Sequence, residues 1–386
     1  MTRGDIVTHY EHIVIGGGAM GSAAAWQLAR RGREVLLLER FDQVHLHGAS
    51  HGASRNFNIA YEEPDYLRLV AEAGGLWREL EAETDTHVLD MVGLVNHGAG
   101  EIEGHDQLLH QYGFAATTLT PDEAAERWPG IRFDTRVTYT PDGGRLNPDL
   151  AIPALQRAAA RHDAELRHQT AVRGIEVLAD GTVAVHTDDE TLTADSAVVT
   201  LGAWSRKLLE GIVELPPLVV TQEQPAHFAL ASGGDGLDAE TAALWPGFNH
   251  LRAAGDARTD WWYSDVYGML TPGEGIKAGW HGTGPVVDPD HRSYEPEPVQ
   301  LAALQRYVRE YLPGADADSL VPVSCTYTTT PDEDFVIDRR GPIVVGAGFS
   351  GHGFKFVPAV GRLLAELATE ADARAVSRFS LARFGL

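Results

Sequence analysis

The chain has 386 residues, with 31 lysines and arginines against 55 aspartates and glutamates and a formal net charge of −24. So acidic a surface repels nucleic acid and anionic membranes, and neither is expected as a partner. At 44% hydrophobic content there is material for a large core, in two domains or in one domain with a big insertion.

The opening stretch MTRGDIVTHYEHIVIGGG has no apolar core followed by a small-residue cleavage site, and no run approaches the ~18 to 20 apolar residues of a membrane span. A cytosolic protein is expected. The one cysteine, Cys325, cannot form an internal disulfide, which agrees with a reducing compartment.

HIVIGGGAMGSAAAWQLARRGREVLLLER then runs apolar strand, glycine turn, small-residue helix, apolar strand and acidic end. This is a βαβ unit. Gly16 makes the tight turn, Gly18 lets the backbone approach a pyrophosphate, and Gly21 allows close helix packing. A diphosphate can sit on the helix N-terminus. Glu39 is placed to accept hydrogen bonds from a ribose diol and disfavours a 2′-phosphate, with Arg40 beside it. An adenine dinucleotide is expected.

In HLHGASHGASRNFN, His45, His47 and His51 suggest a metal site, but no nearby cysteine or carboxylate completes a coordination set, so no metal is expected. Pro148 to Arg161 reads as an amphipathic helix with Leu150, Pro153, Ala154, Leu155 and Ala158 on or near one face. The following segment to VVTLGAWS reads as an antiparallel meander spliced into a parallel sheet, turning at Asp180-Gly181. Alternation sends some of Trp245, Trp261, Trp262 and Tyr263 into the core, the expected place for most of them, and others to a cavity wall, where one would favour a larger or aromatic ligand. Near the C-terminus GPIVVGAGFSGHGFKFVPAVGRLLAELA repeats strand, glycine turn and helix, with Gly348, Gly351 and Gly353 in the turn. A nicotinamide enzyme has no need of a second helix N-terminus, whereas FAD, gripped at both ends, does.

Along nearly its whole length the chain resembles the monomeric sarcosine oxidase and N-methyltryptophan oxidase family, within the group that includes D-amino acid oxidase and glycine oxidase. The resemblance rests on IVIGGGAMGSAAAWQLARRG, GASHGASRNFNIAYEEPDYLRL, PDGGRLNPD, VVTLGAW, YGML, GIKAGWH, CTYTTTPDEDFVID and GAGFSGHGFKFVPAVG. It implies FAD joined covalently through the Cys325 sulfur. It places His51 and Arg55 over one face of the flavin, with Ser50 and Ser54 in the same cofactor-binding block. It implies that Lys277 speeds reaction with dioxygen, that Lys355 pairs with a substrate carboxylate, and that Tyr267 and His281 act at the amine. One departure touches substrate: where relatives have a second arginine that clamps a carboxylate, this chain has Asn58, and a bidentate charged donor has become a neutral amide.

The expected fold class is α/β in two domains. A discontinuous Rossmann-like FAD-binding domain with a mixed sheet takes residues 1–90, 145–220 and 322–386. An antiparallel-sheet substrate domain takes 91–144 and 221–321. The expected reaction oxidises a secondary amine, N-methyl or cyclic and amino acid-like, to an imine, with O2 reduced to H2O2. A dehydrogenase using another acceptor, or a flavin-bearing subunit of a complex, is the alternative. The partners are a small amine and O2, and the assembly a monomer or weak homo-oligomer.

Overall fold

A computed structural model describes residues 8–99 and 105–386. Residues 1–7 of the stretch read for targeting signals, and residues 100–104 of the expected substrate domain, lie outside the described residues. Among the described residues no helix is long and apolar enough to cross a membrane.

The first sheet is built around β1 (His9–Ile15), which runs parallel to β2 (Val35–Leu38) on one side and to the strand Thr191–Val199 on the other. Helix α1 (Ala19–Ala29) makes the crossover, and every one of its residues is buried. Its small residues follow from that burial, because the helix Val357–Thr369 comes so close that a Cβ on Gly361 would lie 2.6 Å from the Ala23 backbone. Leu28, fully buried here, contributes about 1.5–3 kcal/mol.

Thr191–Val199 forks. Its first residues pair antiparallel with Val183–Thr187, and residues 197–199 pair parallel with Ile343–Ala347. The spliced meander is therefore present, with Gly181 at φ +89° in its turn. The helix Pro148–Arg161 is also where its pattern puts it, with the Asn147 side chain accepting the Leu150 N–H. Its buried face is set by residues 151, 152, 154, 155, 158 and 159. Leu150, expected on that face, lies just off it and is exposed.

The second sheet has eight strands in the order Val321–Pro322, Ala226–Phe228, Gly275–Trp280, Val266–Thr271, Gly247–Leu251, Leu94–Gly98, Val137–Thr140, Thr117–Leu119. The expectation of an antiparallel sheet needs one correction, since Leu94–Gly98 and Gly247–Leu251 run parallel. They come from segments far apart in the chain, so no hairpin dictates their direction. Trp245 and Trp262 are buried in the core beneath this sheet, Trp261 packs against it, and Tyr263 is exposed. Two short pairings flank the junction of the sheets: β3 (Arg55–Phe57) with Gly144–Leu146, and Val219–Glu223 with Cys325–Thr329.

Candidate active site

Two cavities meet between the sheets. The smaller, about 410 Å³, runs past the carboxyl ends of β1 and β2. The larger, about 1200 Å³, lies against the second sheet. Arg55, Cys325, Tyr327, Gly351 and Phe354 line both.

The smaller cavity is a backbone cradle. Gly16 has φ +101°, and a Cβ there would meet the Thr200 carbonyl oxygen at 2.6 Å. Gly18 caps α1 without a side chain, and the first turn of α1 is so near that a Cβ on Gly21 would fall 1.8 Å from the Gly16 oxygen. The Ser50 hydroxyl accepts the Ala19 N–H at 3.0 Å and lines the same cavity. Glu39, at the far end of β2, is buried and accepts N–H groups from Gly17 at 2.6 Å and Phe41 at 2.9 Å. Burial pushes its pKa up, against the pull of those N–H donors. Arg40 borders the cavity, bonded to Asp290 at 2.9 Å and lying over the Phe41 ring. At the opposite end Gly348, Gly351 and Gly353 form the second turn, where a Cβ on Gly351 would strike the Tyr327 ring at 2.2 Å. A glycine cradle, a helix N-terminus and a buried acid at one end, with a second glycine turn at the other, fit an adenine dinucleotide as long as FAD.

At the junction, Arg55 donates to the carbonyls of Ser54 (2.8 Å), Ala49 (3.0 Å) and His51 (2.6 Å), and its guanidinium lies 3.7 Å from the Cys325 sulfur. His51 lines the larger cavity, and burial, then Arg55, pushes its pKa down to about 3. It is a neutral imidazole at any working pH. Ser54 contributes differently from expectation: its hydroxyl bonds Thr271 at 2.6 Å and borders neither cavity, while its carbonyl faces the cations.

The larger cavity gathers Asn58, Tyr267, Lys277, His281 and Lys355; Tyr267 and Lys277 stand on neighbouring strands, and His281 directly follows the strand of Lys277. Lys277 donates to the Ser54 carbonyl at 3.2 Å, and burial, then Arg55, pushes its pKa down to about 7. Lys355 donates to the Tyr61 hydroxyl at 2.9 Å and the His352 carbonyl at 2.7 Å, and burial lowers its pKa to about 7 as well. His281 is held low by burial and by Lys355, and Tyr267 is pushed up by burial. Asn58 spends its side-chain oxygen on the Ala60 N–H at 2.8 Å, closing its own turn. None of the four aromatic residues at 245 and 261–263 borders either cavity. Asn56, Asn96 and Asn249 do border the larger one, joined as a carboxamide ladder across three strands.

Sequence reasoning left Tyr61, Tyr327 and His352 without a role. Tyr327 donates to or accepts from His281 Nδ1 at 3.3 Å. Its signal was available, since it stands two residues after Cys325 on one strand and so shares its face. Tyr61 and His352 meet across 291 positions, with no local pattern to announce them. His45 and His47 stack on each other and His45 lies 3.5 Å from Glu39, but with His51 they form no three-ligand cluster among the described residues.

The fold and the paired cavities are those of a flavin-type oxidoreductase. The model of the FAD dependent oxidoreductase family matches residues 11–367, and the chain belongs to that family. It is 32% identical to the monomeric sarcosine oxidase of Bacillus sp. (strain NS-129), over 98% of each chain. It is 30% identical to N-methyl-L-tryptophan oxidase of Yersinia pestis, over 97% of this chain and 99% of that one. Among solved structures it is similar to NikD, described as an unusual amino acid oxidase essential for nikkomycin biosynthesis, at 27% identity and a TM-score of 0.81 over 97% of each chain.

In a Cys325→Ala background, where affinity can be measured by dialysis and fluorescence titration, Glu39→Gln weakens FAD binding about tenfold, the loss of one charge-assisted hydrogen bond. An unchanged affinity would remove Glu39 from the ribose site.

Proposed function

We propose that this chain oxidises a secondary amine carrying a carboxylate and passes the electrons to dioxygen. The observation that carries the reading is the junction: a dinucleotide cradle opens into a chamber walled by Arg55, Lys277 and Lys355, and none of the three has a carboxylate within ion-pair distance among the described residues. FAD, held between the two glycine turns, would supply two-electron oxidation of the carbon beside the amine nitrogen. The protein orients and stabilises charge. Lys355, fixed by Tyr61 and His352, holds the substrate carboxylate, and Tyr267, Tyr327 and His281 set the amine against the ring. Neutral His281 can take a proton from an ammonium substrate. Arg55 favours negative charge on the reduced cofactor, and Lys277 favours negative charge developing on dioxygen. Imine hydrolysis then completes the turnover, and hydrogen peroxide is the second product.

Covalent attachment through Cys325 belongs to this reading, supported by the thiol's place in the wall common to both cavities. So does the division into a discontinuous FAD-binding domain and a substrate domain, supported by the two sheets, and a monomer or weak homo-oligomer in the cytosol. The chamber is far larger than sarcosine needs. Its wall offers the carboxamides of Asn56, Asn96 and Asn249 beside Tyr61, Tyr267 and Tyr327, with no second arginine at position 58, which favours a bulkier polar amine.

Acid precipitation should leave yellow colour on the wild-type polypeptide, and Cys325→Ala should release all of it. Colour in the wild-type supernatant would contradict attachment.

Rapid mixing of reduced enzyme with oxygen tests Lys277. The ammonium form predominates below its pKa, so reoxidation slows as pH rises through about 7. Lys277→Met removes that dependence and slows reoxidation far more than reduction; equal slowing of both half-reactions would sink the assignment.

Steady-state kcat/KM tests Asn58. Wild type should prefer bulkier N-methyl or cyclic amino acids over sarcosine, and Asn58→Arg should raise sarcosine activity about tenfold by adding a charge-assisted bond of roughly 1.5–3 kcal/mol. Wild-type activity highest on sarcosine would show that this position does not set substrate choice.

A further inference from the structure

We propose that His97, His250 and Asp134 bind one divalent transition-metal ion of the zinc class, on the second sheet beside the larger cavity. The inference is independent of the amine reading.

The backbone brings the histidines together. His97 and His250 are register partners in the one parallel pair of the second sheet, so their side chains leave the same face side by side. Their rings stack with centroids 3.9 Å apart and planes inclined by 27°. Asp134 reaches them from the turn before Val137–Thr140, and one ligand atom from each of the three lies within 4.8 Å of the others.

The polar bonding around the cluster is what a ligand set requires. Nδ1 of His250 bonds the Tyr307 hydroxyl at 3.0 Å, which fixes the ring and leaves Nε2 free. A hydrogen-bond partner on the second nitrogen is the usual support of a metal-binding imidazole. That Nε2 stands 3.8 Å from the Asp134 carboxylate, too far for a hydrogen bond. Two ligands of a tetrahedral zinc, each about 2.0–2.1 Å from the ion, are separated by roughly 3.3 Å, so a small inward movement closes the set. Arg258 binds the other oxygen of Asp134 at 3.0 Å and leaves this one available.

His97 makes the strongest case. It is 3% exposed, and neither ring nitrogen has a hydrogen-bond partner among the described residues. A buried imidazole with both nitrogens idle is destabilising, and an ion bound by one of them, shared with His250 and Asp134, removes part of that cost. Two imidazoles and one carboxylate suit Zn2+, Co2+ or Ni2+ in preference to Ca2+ or Mg2+, with water in the fourth position. Such an ion would tie the parallel pair to the 131–136 turn, along a wall of the larger cavity that His97 itself borders.

The test uses tag-free, flavin-loaded protein stripped with chelator, titrated with Zn2+ by calorimetry and followed by thermal denaturation. One equivalent of Zn2+ should bind with a micromolar or tighter Kd and raise Tm, with the flavin absorbance unchanged. His97→Asn should abolish binding and Asp134→Asn should weaken it at least tenfold. Asp134 is on the surface, so its variant decides the matter even if His97→Asn fails to fold. Absence of saturable Zn2+ binding, full affinity in Asp134→Asn, or equal binding of Mg2+ would each overturn the proposal.

Discussion

One carbonyl oxygen, that of Ser54, accepts hydrogen bonds from both the Arg55 guanidinium and the Lys277 ammonium. Two like charges are thereby held in one wall without an acid to neutralise them. In a chain of net charge −24 a carboxylate is the easy partner for any cation, and the site avoids it three times, since Lys355 too is bonded to a hydroxyl and a carbonyl. Neutral acceptors satisfy the N–H donors while leaving the charge unspent, available to whatever negative charge enters the cavity. The depressed pKa of Lys277 is the cost of that arrangement, with burial the larger cause and Arg55 the smaller. Much of the local structure serves it: Arg55 gathers the carbonyls of the 49–54 loop around itself, and that loop also sets Ser50 on α1 and His51 in the chamber.

The glycine turns explain why the cradle lies where the sheets meet. Both first-sheet turns bring backbone, with no side chain intervening, to the smaller cavity, and the second reaches the larger one as well through Gly351. The second turn is possible only because Gly351 presents no Cβ to Tyr327. Tyr327 in turn stands on the strand that carries Cys325, paired to Val219–Glu223 and to neither large sheet. The thiol thus belongs to a separate short ribbon between the two sheets, a third surface positioned by them.

The dinucleotide half was legible because its signals are local. The β1–α1–β2 unit, the meander and the helix Pro148–Arg161 each follow from contiguous patterns of about thirty residues or fewer, and Gly16, Gly348 and Gly351 stand at turns whose positive φ demands them. Substrate-side features depend on distant pairings and were read less well. Nothing near residue 97 or 250 announces that those strands lie parallel, and nothing in Asn56, Asn96 or Asn249 announces a ladder. The tryptophans pack in or against the core, the place expected for most of them, although burial under a sheet and exposure to a cavity produce the same alternation. Ser54 shows a subtler limit: the motif located the residue, but its backbone rather than its hydroxyl faces the cations.

The order of strands along the chain also has a consequence in time. Ile343–Ala347 joins the first sheet beside a strand that ends at residue 199, and the turn that follows it supplies the second half of the dinucleotide cradle. Until residues 343–353 have been synthesised, the N-terminal glycine turn has no counterpart across the groove. A nascent or truncated polypeptide can form the first βαβ unit but cannot grip a long cofactor at both ends. The binding energy of a long cofactor therefore stabilises only chains that extend through the second turn.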